Sequence, residues 1–143
     1  MSKVLEPEGG GGLYSRRKEA GRLSESKRDR DRATEAFRRW ALLGMPDPET
    51  IRKMRYKRAA DLLACASVFA ALRDRQGRAN AAGEEIVRAV VAIYMQEPWR
   101  PLRRGEVGAR AMRFALEYPA DRSTVFRWLD KARKLWADFR RDL

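Results

Sequence analysis

Apolar side chains recur every three or four residues along most of this chain, whereas the strict alternation that marks a half-buried strand is nearly absent. The first clear stripe is Ala33, Ala36, Phe37, Trp40 and Leu43, which predicts an amphipathic helix from Leu13 to about Leu43. Upstream of Ala33 the segment SESKRDRDR has no apolar anchor after Leu23, so that part reads as a marginal, solvated helix supported by Glu/Lys and Asp/Arg pairs. Gly44 then suits the position just past a helix, and Met45-Pro46-Asp47-Pro48 enforces a stop, with Asp47 as the next N-cap and Pro48 in the first helical turn. A second helix is predicted from Pro48 to about Arg75, burying Ile51, Met54, Leu62, Leu63, Ala66, Phe69 and Leu72 along roughly 40 Å. Gln76-Gly77-Arg78-Ala79-Asn80 ends it and marks a domain boundary. From Gly83 to Met95, Ile86, Val87, Val90, Val91, Ile93 and Tyr94 cover too wide an arc for a surface helix, which predicts a central one, ended by Pro98 and Pro101.

The remaining stretch predicts two helices broken at Tyr118-Pro119-Ala120, because proline cannot sit inside a helix and pushes the preceding residue out of the helical region. The first buries Val107, Ala111, Phe114 and Ala115. The second starts on Asp121 or Ser123 as N-cap, turns Val125, Leu129 and Ala132 inward, and leaves Arg122, Ser123, Thr124, Arg127 and Lys131 outside. Its apolar side continues through Trp128, Leu135, Trp136 and Phe139, a surplus expected to pack on the N-terminal helices or on a second subunit. The fold expected is therefore all-α: a glycine-rich, disordered segment over residues 1–12, a long-helix arm or hairpin for assembly over 13–78, and a three-helix helix-turn-helix unit over 81–143.

Composition narrows the chemistry. Of 143 residues, 44% are hydrophobic and 36% charged, the pattern of a strongly helical protein, and the formal net charge of +12 favours polyanions, nucleic acid first and an anionic membrane second. With one cysteine and no histidine, one copy of the chain can build neither a disulfide nor a histidine-containing metal site, nor a His-based triad, so neither an enzyme nor a cofactor is expected. Cys65 lies in the apolar run LLACASVF and reads as a small buried hydrophobe. The acidic pairs Glu84/Glu85 and Asp29/Asp31 lack a third ligand for a metal. No apolar run is long enough to span a bilayer and no signal-peptide core is visible, so an intracellular, cytoplasmic protein is expected.

DNA is the partner these features favour. An arginine fork can take guanine O6 and N7 together, and hydroxyls can contact bases or phosphates, so Ser123, Thr124, Arg127 and Lys131 are candidate base contacts, with Arg127 foremost. Arg100, Arg103, Arg104, Arg110, Arg122 and Lys134 are candidate phosphate contacts. Trp99, Phe126, Trp128, Trp136 and Phe139 could stack on bases, but Trp128, Trp136 and Phe139 follow the buried stripe and read as core. Arg52, Lys53, Arg55, Lys57 and Arg58 form a second basic group. At the start of a long helix they would oppose its dipole, a mild hint of an anionic partner, although a solvated face explains them as well.

The phrase PLRRGEVGARAMRFALEYPADRSTVFRWLDKARKLW resembles the helix-turn-helix of sigma-factor region 4 and of phage late-operon regulators of the ArpU and RinA type. The likeness covers roughly residues 84–139, and STVFRWL is its most specific part. It implies that the helix over Ser123 to Lys134 enters the major groove, with Ser123, Thr124, Arg127 and Lys131 toward the bases. No counterpart of sigma-factor region 2 is recognisable, so promoter melting is not implied. The expectation is a sequence-specific regulator of phage or mobile-element type that binds double-stranded DNA as a homodimer or higher oligomer, with RNA polymerase a further partner. The alternatives are a phage packaging factor of the small-terminase kind, a replication-initiation factor, or a helical adaptor for another protein.

Overall fold

The computed structural model describes residues 32–74 and 82–143; expectations for residues 1–31, including the Asp29/Asp31 pair, and for the breaker at Gly77 lie outside the described residues. Those described are helical, with no strand among them, which establishes the all-α class. Among the described residues six helices follow one another: α1 (residues 32–42), α2 (Pro48–Lys53), α3 (Ala59–Arg73), α4 (Gly83–Ile93), α5 (Glu106–Glu117) and α6 (Arg122–Arg141).

α1 buries Ala33, Ala36, Phe37 and Trp40, the stripe its spacing predicts. It closes as a Schellman motif, in which the Met45 N–H donates to the Trp40 carbonyl (2.8 Å) and the Gly44 N–H to that of Ala41 (3.0 Å). Gly44 supplies the left-handed φ of 86° that this geometry requires. Trp40 Nε1 then donates to the Pro46 carbonyl at 2.9 Å. Asp47 caps α2 as its position predicts, accepting the Thr50 N–H at 2.8 Å, with Pro48 in the first turn.

The predicted helix from Pro48 to Arg75 is instead two. α2 ends at Lys53, Arg55 takes a left-handed φ of 51°, and α3 begins at Ala59. A continuous helix would put Arg55 and Arg58, four and seven residues after the fully buried Ile51, on the face turned to the core. Breaking the helix releases both to solvent, and Met54, expected inside, is exposed with them.

α4 is central as predicted, packing against α3, α5 and α6, with Ile86, Val87, Val90 and Ile93 buried. The division expected between residues 78 and 81 does not divide the core. Ala33–Leu143 form one compact unit, and the buried set runs without interruption from Ala33 to Trp136. The physical reason is the long apolar side of α6, which one three-helix unit cannot cover. α3 covers it: Trp136, 1% exposed, donates from Nε1 to the Asp61 carbonyl at 3.0 Å, and Arg140 Nε meets Asp61 Oδ1 at 2.7 Å. Phe69 on α3 in turn holds α1, edge-to-face with Trp40 at 4.9 Å and tilted to Phe37 at 5.9 Å. Of the two destinations expected for the surplus stripe, the N-terminal helices are the one observed. No helix among the described residues is long and apolar enough to cross a membrane.

Candidate nucleic-acid interface

α5 and α6 are joined by the four-residue turn Tyr118–Asp121, within the length a helix-turn-helix uses. Tyr118, preceding Pro119, is extended at φ −109° and ψ 140°, as the proline ring demands. Its ring stacks on Phe114 at 5.0 Å between centroids and its hydroxyl accepts from Arg88 Nη1 at 2.8 Å, so the turn is pinned to both α5 and α4. Asp121 is the cap: its Oδ1 accepts the Thr124 N–H at 2.8 Å and the Ser123 hydroxyl at 3.2 Å. Ser123, the other candidate for that place, supports the cap instead. The bonds from Thr124, with help from Ser123 and the Arg127 charge, hold the Asp121 carboxyl below its ordinary value.

With the cap set, Val125, Leu129 and Ala132 are fully buried and the opposite side of α6 is open. Ser123, Arg127, Lys131 and Lys134, spaced three or four apart, share an exposed face, and Thr124 borders it half-buried. Arg127 Nη2 rests 3.1 Å from Thr124 Oγ1. Neither it nor Lys131 nor Lys134 forms an ion pair among the described residues. Arg122 is exposed and lies over the Phe126 ring at 5.4 Å. Arg103 and Arg104 are exposed just before α5. The first half of α6 is thus freer than the second, where Trp136, Phe139 and Arg140 are drawn into contact with the rest of the fold.

Two expected phosphate contacts are not available for that task. Arg110 is 6% exposed and directs its guanidinium inward, Nη1 to the Ile93 (2.9 Å) and Gln96 (3.2 Å) carbonyls and Nη2 to Glu106 (2.7 Å). It sits three residues after Val107 and four before Phe114, on the inner face of α5, a position legible in the sequence. Arg100 is engaged by two carboxylates, Nη2 at 2.6 Å from Glu97 and 2.5 Å from Glu106, with Nη1 at 2.9 Å from Glu106. These bonds, Glu106 first, raise its pKa, while Arg100 and the Arg103 N–H hold the Glu106 carboxyl well below the usual carboxylate range. The Arg103 N–H donates to Glu106 Oε1 at 2.8 Å, tying the connection to the first turn of α5.

The residue that organises this corner is Arg38, on α1. Only 8% exposed, it donates to the Tyr94 (2.6 Å), Gln96 (3.3 Å) and Glu97 (2.9 Å) carbonyls and to that of Arg100. It therefore satisfies the backbone at the end of α4 and along the connection that delivers Arg103 and Arg104. The only sequence signal for it was its place at the edge of the α1 stripe, next to Phe37.

Other candidates resolve simply. Cys65 is buried and its thiol is pushed well up by that burial. Glu84 lies 3.6 Å from Arg73 and 3.9 Å from Arg88, and no cluster of three metal-ligating side chains occurs among the described residues. Trp136 is core, Trp128, Phe126 and Phe139 are half-buried, and Trp99 is 71% exposed. No protein-family model, curated protein or solved structure matches the chain.

Proposed function

We propose that this protein is a sequence-specific double-stranded DNA-binding protein, a transcriptional regulator of phage or mobile-element type that reads DNA with the first half of α6. The observation that carries the reading is the open face Ser123–Arg127–Lys131–Lys134, cationic and without ion pairs among the described residues, on a helix whose other side is locked into the core. In a major groove, Arg127 leaves Thr124 to fork onto guanine, Ser123, Thr124 and Lys131 meet neighbouring base edges, and Arg103, Arg104, Arg122 and Lys134 take phosphates at the flanks. Arg100 and Arg110 hold the frame that aims them. One such unit touches few base pairs, so the reading includes a homodimer on a two-fold site.

Selection of bound duplexes from a random pool, followed by a salt titration on the enriched sequence, tests this. One enriched motif whose affinity falls steeply with salt is the expected result, because phosphate neutralisation releases counterions. A pool that stays random, or affinity insensitive to salt, would refute it. A protein-adaptor role is the second reading, favoured by Leu116 and Met112, which stand 87% and 56% exposed one turn apart on α5; it predicts no DNA binding even at low salt.

A further inference from the structure

The kink between α2 and α3 concentrates cations that the recognition face does not use. Arg52, Lys53, Arg55, Lys57 and Arg58 fall within seven residues, and every one is exposed. Among the described residues Lys53 alone of these five has a carboxylate, Glu49 at 3.2 Å, and both side chains of that pair are largely solvated, so it neutralises little. Arg52 and Lys53 sit in the last turn of α2, where its dipole welcomes them, contrary to the opposition expected of one long helix. Lys57 and Arg58 precede α3, where the dipole disfavours cations. The left-handed Arg55 turns the chain so that all five face outward.

The position of this elbow is fixed by the contacts of Asp61 in the first turn of α3. They join it to Trp136 and Arg140, the far end of α6 from Ser123. The rise from Ser123 to Arg140 is roughly 26 Å. A major groove is only about 8.5 Å deep. A helix entering by its first turns therefore leaves the elbow, joined to Arg140 through Asp61, outside that groove.

Resting on the DNA reading above, we propose that the elbow is a second, sequence-independent site for the phosphate backbone of another duplex, so that one chain bridges two DNA segments. The cations are spread along an exposed turn, the arrangement that suits a repeating polyanion. A lipid surface is the poorer fit, since Tyr56 is half-buried and only Met54 offers an apolar contact at the turn. Counterion release from a few phosphates gives such a site affinity without base contacts.

The test uses the full chain, a biotinylated duplex on beads and a fluorescent duplex of unrelated sequence in solution. Wild type should hold the fluorescent duplex on the beads. Arg55→Gln/Lys57→Gln/Arg58→Gln should bind the bead duplex within twofold of wild type while retaining at least tenfold less of the fluorescent one. Arg52→Gln/Lys57→Gln, which leaves the left-handed turn and the start of α3 intact, should show an intermediate loss, and circular dichroism checks that both stay folded. Equal retention by wild type and the triple variant would overturn the proposal and place bridging in a dimer of recognition faces. Parallel loss of both duplexes would also overturn it, because the elbow would then touch the same DNA as α6. Wild type that binds the bead duplex but never retains a second overturns this inference alone. Wild type that binds neither overturns the DNA reading and this inference with it.

Discussion

Replacing Arg38 by methionine keeps most of the aliphatic stem but removes the guanidinium that donates to four carbonyls at the end of α4 and along the connection to α5. Of its carbonyl partners, that of Tyr94 is reached in a buried setting, at 2.6 Å, and its loss of a donor costs about 1–3 kcal/mol. The bonds to Gln96, Glu97 and Arg100 are partly buried, so water recovers much of their value, and each adds about 0.5 kcal/mol. Some of this is returned, because the guanidinium itself is held at a cost: burial, and then the charge of Arg110, pull its pKa below the ordinary value. A net loss of about 3 kcal/mol follows, a large part of the roughly 5–15 kcal/mol of a typical domain. In thermal unfolding followed by far-UV circular dichroism, this lowers Tm by about 10 °C. Arg38→Lys should lose about half as much, since one ammonium cannot span the carbonyls that a planar fork reaches. Hydrogen exchange should quicken from Tyr94 to Arg104 in both variants. A Tm within about 2 °C of wild type for Arg38→Met would show that α1 does not brace the connection, and the one-core description would lose its main polar support.

A fragment over 81–143, designed on the sequence-level boundary, is expected to lose most of its helix in circular dichroism, because α3 and α1 no longer cover Trp136 and the end of α4; a cooperative, fully helical fragment would refute this. Native Cys65 should resist alkylation at neutral pH and react on unfolding, since the thiol is both buried and shifted upward; rapid native labelling would contradict it. Acid should unfold the protein in a definite direction. The depressed Glu106, Asp121 and Asp47 contribute stability that is fully present above the unfolded carboxylate values near 4 and is lost as pH falls through their lower folded values, so urea midpoints should hold from neutral to about pH 5 and drop below about pH 4. A midpoint that rises on acidification would count against those caps and pairs.

Short-range grammar was well written in this chain. The Gly44 stop, the Asp47 cap, the proline-broken turn, the central apolar helix and the inner stripe of α6 each depend on residues within a turn or two of one another, and each is found where its pattern placed it. What failed turned on burial and on how the elements meet. The helical pattern over Pro48–Arg75 ignored the cost of turning Arg55 and Arg58 inward. The boundary after α3 left the surplus stripe of α6 to either the N-terminal helices or a second subunit, and α3 covers it within one core. Arg110 looked like a free cation although its spacing from Val107 and Phe114 already put it on the inner face of α5, and Arg100 did because Glu97 and Glu106, three and six residues away, meet at it only when the connection folds back on α5. Arg38 had no local signature beyond its place beside Phe37 at the edge of the α1 stripe, its acceptors lying some sixty residues away. The open cationic face of α6 was legible because a capped helix with one buried stripe leaves only one side for everything else.

The most direct test of the DNA reading compares Arg127→Ala with Arg103→Ala on the selected duplex and on random DNA, at two salt concentrations. Arg127 lies on the open face one turn after Ser123, whereas Arg103 sits in the connection and can only flank a groove. Arg127→Ala is expected to cost about 1–3 kcal/mol on the selected duplex, roughly a 5- to 150-fold loss, and much less on random DNA. Arg103→Ala should weaken both duplexes alike and reduce the salt slope by about one unit. Equal losses on selected and random DNA for Arg127→Ala would contradict base reading by α6.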